Sequence, residues 1–374
     1  MSYNFFMRNI VVLADAMRGG GTTTVFLQFM KHLKDYIGED NYHIFVHPSI
    51  PKPELDGVNY IEVDTHSHFR RLCFDYFGCA KYLKKHKIKP NLIISLENTG
   101  IRVKHVNQLV MYMQALPFYK KKWSLFNGSR ERLLWFYTNI FPYAVRKSLN
   151  ERTYVVVNTP FLKDWYSDLY RFDKKRIYTM MPDIEEVDVS QCKDFDFGTT
   201  KYNFIYPANN AGYKEHRTLM EAMLKLKDRN PSLAADVKIY FTLKAEANEK
   251  MVRQIEAYGV SDYFVFTGFV SRDDLLGMYK NCTGLLFPST IESLTMPLWE
   301  AVAFRKPIAC QDLEFSRYQL EGYNGVKFMP VGDYDKWCQA IEEMCMENMD
   351  IAPYEHVSGN TWDNFFEWVK MLAK

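Results

Sequence analysis

Cysteine is sparse in this chain and its pattern is that of unpaired thiols. The seven, at 73, 79, 192, 282, 310, 338 and 345, are odd in number and scattered, without a Cys-x-x-Cys or a Cys/His cluster of metal spacing. A disulfide scaffold and a zinc site are therefore not expected, and a reduced, cytoplasmic setting is. Long hydrophobic runs are absent too. The most apolar stretch, Leu133 to Val145, has 13 residues and is broken by Thr138, Asn139 and Pro142, well short of the roughly 20 that span a bilayer. Met1 to Arg8 holds only a short apolar patch before a strand pattern, so neither a signal nor a transit peptide is readable. Neither sign of charge dominates. Lys plus Arg total 47 against 45 Asp plus Glu, a net charge of +2 that excludes a strong electrostatic footprint for nucleic acid. Low-complexity tracts and short repeats are missing, as are the spaced dinucleotide and Walker glycine fingerprints.

What is present is an ordinary globular composition, 47% hydrophobic and 25% charged, with 374 residues, enough for two domains with a cleft between them. Aromatics reach 16%, which supplies large cores and leaves some rings for ligands or interfaces. Asn9 to Ala14 is a continuous apolar run of the kind buried on both faces of a parallel sheet; Gly19-Gly20-Gly21 and a helical pattern follow it. Further strand-like runs at Tyr42–Val46, Leu92–Ser95, Leu109–Met113 and Tyr154–Asn158 alternate with helical segments such as Phe74–Lys87. The segment Met181 to Tyr202 is acidic and aperiodic. Beyond it a second β-α series runs through strands Asn203–Pro207, Val237–Thr242, Tyr263–Thr267, Gly284–Pro288 and Pro307–Cys310. The pattern predicts an α/β protein of two doubly wound domains, residues 1–182 and 183–359, with ligands at the carboxyl ends of strands.

The most informative stretch is Phe287 to Ala301: a strand, a polar loop, then a helix whose first position is read as Pro297. Amides around Thr295 and Met296, at the positive end of the helix dipole, are expected to be free and to make an anion site. Glu292 lies in the loop. Glu300 lies about one turn into the helix, where its carboxylate can accept two hydrogen bonds from a vicinal diol. On spacing alone a capped surface helix with two solvated carboxylates fits as well.

Glu292 and Glu300, set in Pro-Ser-x-x-Glu-Ser-Leu-x-x-Pro-Leu-x-Glu-Ala, resemble the acidic signature of the retaining GT-B glycosyltransferases, family 4 in particular. Tyr206 to Ala222 looks like that family's lysine segment, and Phe266-Thr-Gly-Phe-Val270 like its base-contacting turn. The likeness covers residues 203–345 well and the first half loosely. It implies the GT-B fold, two Rossmann-like domains facing across a cleft, the first for acceptor and the second for donor. It also implies transfer of a hexose-type sugar, with retention, from a nucleotide-diphosphate-sugar to a glycan or lipid-linked glycan acceptor in surface polysaccharide biosynthesis.

By the same resemblance Lys214 sits on the donor diphosphate, Glu292 beside the transferred sugar and Glu300 on the ribose. Ser293, Leu294, Thr295, Met296, Asn209 and Asn210 line the donor, and the Phe269–Val270 backbone edges the base. Gly20 and Gly21 stand where the family closes a glycine loop on phosphate. Many relatives carry an Arg several residues before the lysine; here that region is Ala208-Asn209-Asn210. Where many have a cleft His or Asn, the candidate here is Gln114. No cofactor or metal is expected, and Asp194-Phe-Asp196 and Asp333-Tyr-Asp335 are read as linker and helix cap. Two other readings stay open: a nucleotide-sugar-binding partner without activity, and a nucleotide-sugar epimerase of the same architecture.

Residues 117–152 hold eight Lys or Arg interleaved with Trp123, Phe126, Trp135, Phe136 and Tyr137. Such a mixture suits the inner face of an anionic membrane, a peripheral contact, as well as it suits a helix with a solvated basic face. The C-terminal segment Asn360–Lys374 reads as a helix with an apolar stripe. By the resemblance it packs back on the first domain.

Overall fold

The computed structural model describes residues 7–19, 21–65, 67–184, 187–347, 349–354 and 359–374, with the side chains of residues 68 and 69 excepted. The chain divides into two compact units, residues 1–183 with 357–374, and residues 184–356.

The first unit is built on seven described strands: β1 (Asn9–Ala14), β2 (Asn41–Val46), β3 (Val58–Glu62), β4 (Leu92–Ser95), β5 (Asn107–Tyr112), β6 (Thr153–Val157) and β7 (Ile177–Thr179). They pair in the order β3-β2-β1-β4-β5-β6-β7, every pairing parallel. β1 and β4 are buried along nearly their whole length, which is why both read as continuous apolar runs. β3 is half-exposed and β7 has three residues, so neither carries that signal. The helical stretch read from Phe74 begins earlier, at His68, and passes through a π-helical turn, Phe74–Gly78, before Cys79–Lys85.

One face of this sheet is closed by the helix Gly21–Tyr36 and by the C-terminal helix Trp362–Leu372. Trp362, Phe365, Phe366, Val369 and Leu372 are buried in the same core as Phe26, Phe29 and Leu33. Phe29 meets Trp362 and Phe365 edge-on, and the indole N–H of Trp362 donates to Gln28 Oε1 at 3.2 Å. Thr361 caps this last helix, its hydroxyl accepting from the Asp363 amide.

The second unit has six described strands: β8 (Tyr202–Tyr206), β9 (Val237–Phe241), β10 (Phe264–Phe266), β11 (Gly284–Phe287), β12 (Ile308–Gln311) and β13 (Val326–Met329). Their order is β10-β9-β8-β11-β12-β13, again all parallel. The strand order reverses direction between β8 and β11 here, and between β1 and β4 in the first unit. These are the topological switch points, where a doubly wound sheet opens a crevice beyond its strand ends.

Candidate functional site

The loops that leave β8 and β11 flank the switch point of the second unit, and the chemistry-bearing residues lie on them. Thr290 ties the two loops together, its amide and its hydroxyl both donating to the Tyr213 carbonyl at 2.8 and 2.9 Å. The Tyr206 hydroxyl donates to the Lys214 carbonyl at 2.6 Å; burial first, and then the Glu292 carboxylate, push that phenol far up, so it stays a donor. Glu215 turns the chain through the left-handed region, φ 46°, into the helix His216–Arg229.

Held in this way, the Lys214 ammonium pairs with Glu292 Oε1, and the Ser289 hydroxyl donates to the same oxygen at 2.6 Å. The two side chains are only 11% and 14% exposed. The ammonium also lies 5.4 Å from the ring centres of both Tyr213 and Phe287, a cation over two π faces. His216 lies behind it; burial and the Lys214 charge lower its imidazole to about 3, so it is neutral across the physiological range.

Glu300 is buried in the helix Met296–Ala303, one residue longer at its start than the proline suggests. Its carboxylate pairs with Arg272, a residue that the sequence reading did not single out. Arg272 opens the helix Arg272–Asn281, capped by Ser271, and reaches Glu300 from 28 positions away, so no local pattern announces the contact. The Tyr279 hydroxyl, pushed far up by burial and then by Glu300, donates to the Pro297 carbonyl at 3.3 Å.

The expectation of a free amide at Thr295 is not met. Gln319 accepts from the Thr295 N–H and donates to the Thr295 carbonyl, both at 3.0 Å, so this part of the loop is satisfied by the protein itself. Asn210 Nδ2 donates to Asn248 Oδ1 at 2.7 Å, while Asn209 accepts from the Ala211 amide in a local turn. Ser293 and Leu294 continue the acidic loop and are partly buried. Phe269 is 88% exposed just after Gly268, which takes φ 75°, and Val270 stands beside it.

In the first unit Gln114 lies past β5 and accepts from the Leu116 amide at 3.1 Å, a turn contact. Gly21 opens the helix after β1; Gly20 lies outside the described residues. Of the two Asp-x-Asp strings, Asp194 pairs with Lys280 at 3.0 Å and Asp196 accepts from the Gly198 amide. Asp333 caps the helix Tyr334–Met346, and Asp335 pairs with Lys225 at 3.0 Å. All seven cysteines are free.

The basic aromatic stretch forms two helices, Ser129–Asn139 and Phe141–Ser148. Trp123, Leu134, Phe141 and Val145 point inward, while Phe126, 95% exposed, Leu133, Ile140 and Tyr143 remain outside among the cations. Among the described residues no helix is long and apolar enough to cross a membrane.

Comparison with known proteins adds to this geometry. Residues 191–352 match the family described as Glycosyl transferases group 1. A 79-residue segment is 34% identical to the serotype-specific mannosyltransferase WbdA of Escherichia coli, covering 21% of this chain and 9% of that one. The chain thus spans about a tenth of the length of the curated relatives it matches. WaaG, a glycosyltransferase involved in lipopolysaccharide biosynthesis, superimposes with a TM-score of 0.64 at 14% identity, over 91% of this chain and 90% of its own. HepE of Anabaena, solved in complex with UDP and glucose, does so with a TM-score of 0.59 at 12% identity and the same coverage. Two Rossmann-like units of the GT-B fold therefore make up this chain, and its residues 191–352 carry the sequence signature of the group 1 glycosyl transferases.

Proposed function

We propose that the chain is a glycosyltransferase that moves a hexose-type sugar, with retention, from a nucleotide-diphosphate-sugar to a glycan or lipid-linked glycan acceptor in surface polysaccharide assembly. The observation that carries this reading is the buried Lys214–Glu292 pair at the switch point of the second unit, with Glu300 on the next helix. In the ligand-free protein the carboxylate holds the ammonium in place. When a diphosphate arrives, a compact cation is already positioned to neutralise the charge that grows as the sugar leaves. Glu300, aligned by Arg272, supplies the acceptor oxygens for a ribose diol.

The reaction breaks the bond between the anomeric carbon and the diphosphate oxygen and forms one from that carbon to the acceptor oxygen on the same face. The acceptor's proton passes to the departing phosphate oxygen, so the protein needs no strong base, and positioning with electrostatics does most of the catalysis. The mannosyltransferase relative and the neighbour solved with UDP and glucose support a nucleotide-sugar donor. The exposed rings among the lysines and arginines of residues 117–152 suit contact with anionic lipid at the cytoplasmic face of a membrane.

A thermal-shift panel of UDP, GDP, ADP and dTDP compounds identifies the base, since a ligand raises the melting point by mass action. Incubation with the matching sugar donor and candidate acceptors, read by NMR at the anomeric carbon, then tests transfer and retention. Lys214→Ala and Glu300→Ala are each expected to lose about 10²–10³ in rate. Transfer at the wild-type rate in either variant, or inversion, overturns the reading. Vesicles with anionic lipid are expected to float the protein in low salt but not in high salt.

A further inference from the structure

The first unit carries a second acidic constellation, and it too sits at a switch point. Asp15 directly follows β1, and Glu97 comes two residues after β4, the strands between which the order reverses. Asp75 joins them from the π-helical turn Phe74–Gly78, a local distortion of the kind found at functional sites. The three carboxyl groups each bring an oxygen within 4.8 Å of the others, and all three residues are buried.

Their hydrogen bonds leave ligand capacity unused. Asp75 accepts from Thr99 at 3.1 Å, and Glu97 Oε1 accepts from the Ala16 amide. Asp15, 0% exposed, has no hydrogen bond on either carboxylate oxygen among the described residues, and Glu97 Oε2 has none. Arg71 is the buried cation of the cluster, 3.6 Å from Glu97 and 3.8 Å from Asp75, with its other nitrogen turned to the Glu97 carbonyl and Thr99. Arg18, exposed, reaches Thr65 at the margin. With all three carboxyls ionised, the one buried guanidinium would leave two negative charges to be neutralised, by an ion or by protons, since a buried uncompensated charge is costly.

We propose that Asp15, Asp75 and Glu97 bind one hard divalent cation of the calcium or magnesium class at the root of the loop that follows β1. The unpartnered oxygens belong to buried side chains that converge on one another, an arrangement that suits a single ion. An ion about 2.3–2.6 Å from each oxygen bridges separations of this size and brings the missing charge. The donor set is all carboxylate. Carboxylate oxygens suit a hard ion and do not favour a soft metal. A bound ion would fasten the start of the loop after β1 to the β4 loop and the π-helical turn. The inference is independent of the transfer reaction.

The test uses the full chain, stripped with EDTA and dialysed, with Ca2+, Mg2+ and Mn2+ added separately at constant ionic strength. Equilibrium dialysis is expected to show one ion per chain. At a hundredfold excess over Kd the melting point of the first unit should rise by roughly 5–10 °C. Asp15→Asn removes a negative charge, so the metal-free variant should melt no lower than the wild type while losing both stoichiometric binding and the shift. Glu97→Gln keeps the acceptor for the Ala16 amide and should also lose binding. The paired change Asp194→Asn with Asp196→Asn, on the exposed string of the second unit, should leave binding intact. Absence of stoichiometric binding by any of the three ions at millimolar concentration overturns the proposal and leaves protons as the neutralising charge. Unchanged binding in Asp15→Asn overturns it as well.

Discussion

Removing the Lys214 ammonium separates its structural role from its role toward a ligand. In Lys214→Ala the Glu292 carboxylate, 14% exposed, keeps the Ser289 hydroxyl as its hydrogen-bond donor and loses its counter-charge. Breaking a mostly buried pair from one side costs about 3–5 kcal/mol, and the residual exposure puts this one near 3 kcal/mol. Glu292→Gln keeps an acceptor for Ser289 but strands the ammonium over the Tyr213 and Phe287 rings, at about 1–2 kcal/mol. The double variant removes both charges, so its destabilisation should fall short of the sum by about 1–3 kcal/mol. Toward a nucleoside diphosphate the two single variants should part. Lys214→Ala loses a charge-assisted contact of about 1.5–3 kcal/mol, or roughly 10–150-fold in Kd. Glu292→Gln should bind at least as tightly as the wild type, because the ammonium is no longer shared with a carboxylate. Calorimetric titration and thermal melts of the four proteins read both effects. Additive destabilisation refutes the pairing; a Lys214→Ala Kd within twofold of wild type refutes the ligand role.

Arg272→Ala, which leaves the buried Glu300 carboxylate without its guanidinium, should cost the second unit about 1–2 kcal/mol after allowing for the 40% exposure of the arginine; an unchanged melt would dismiss the pair as incidental. Trp362→Ala, which empties a site at the centre of the first core, should cost about 3–5 kcal/mol in urea unfolding, and Trp362→Phe clearly less. In metal-free buffer the two units should answer acid with opposite signs, seen as separate calorimetric transitions. Burial raises the Asp75 carboxyl to about 7, so its stabilisation is full below the usual carboxylate range and fades as pH rises toward 7. Burial and Lys214 lower His216 to about 3, so its stabilisation is full above about pH 6.5 and fades as pH falls. Asp75→Asn should weaken the first response, to which the buried Asp15 and Glu97 carboxyls contribute in the same sense, and His216→Asn the second.

The central strands were legible because they are buried on both faces and leave unbroken apolar runs, as in β1 and β4. β3, β7 and β13 are short or half-exposed, so none of them leaves the unbroken apolar run that marks a strand buried on both faces. Glu292, Glu300 and Lys214 could be singled out because their residue types and order form a chemical motif. Their partners could not. Arg272 meets Glu300 across 28 residues and Gln319 meets Thr295 across 24, contacts made by the packing of helices on a sheet and by no local periodicity. The carboxylates of the first unit had a fainter signal: an acid at the end of an apolar strand, as in Leu-Ala-Asp15, is conspicuous only once the strand order is known.

The last helix has a consequence for synthesis. Its aromatic side chains complete the core of the first unit, yet they follow the whole of the second in the chain. A ribosome releases the second unit as an uninterrupted segment, free to collapse as it emerges. The earlier-made half must wait, its apolar groove open to chaperones, until Trp362 and its neighbours leave the exit tunnel. The half translated first is thus the half finished last.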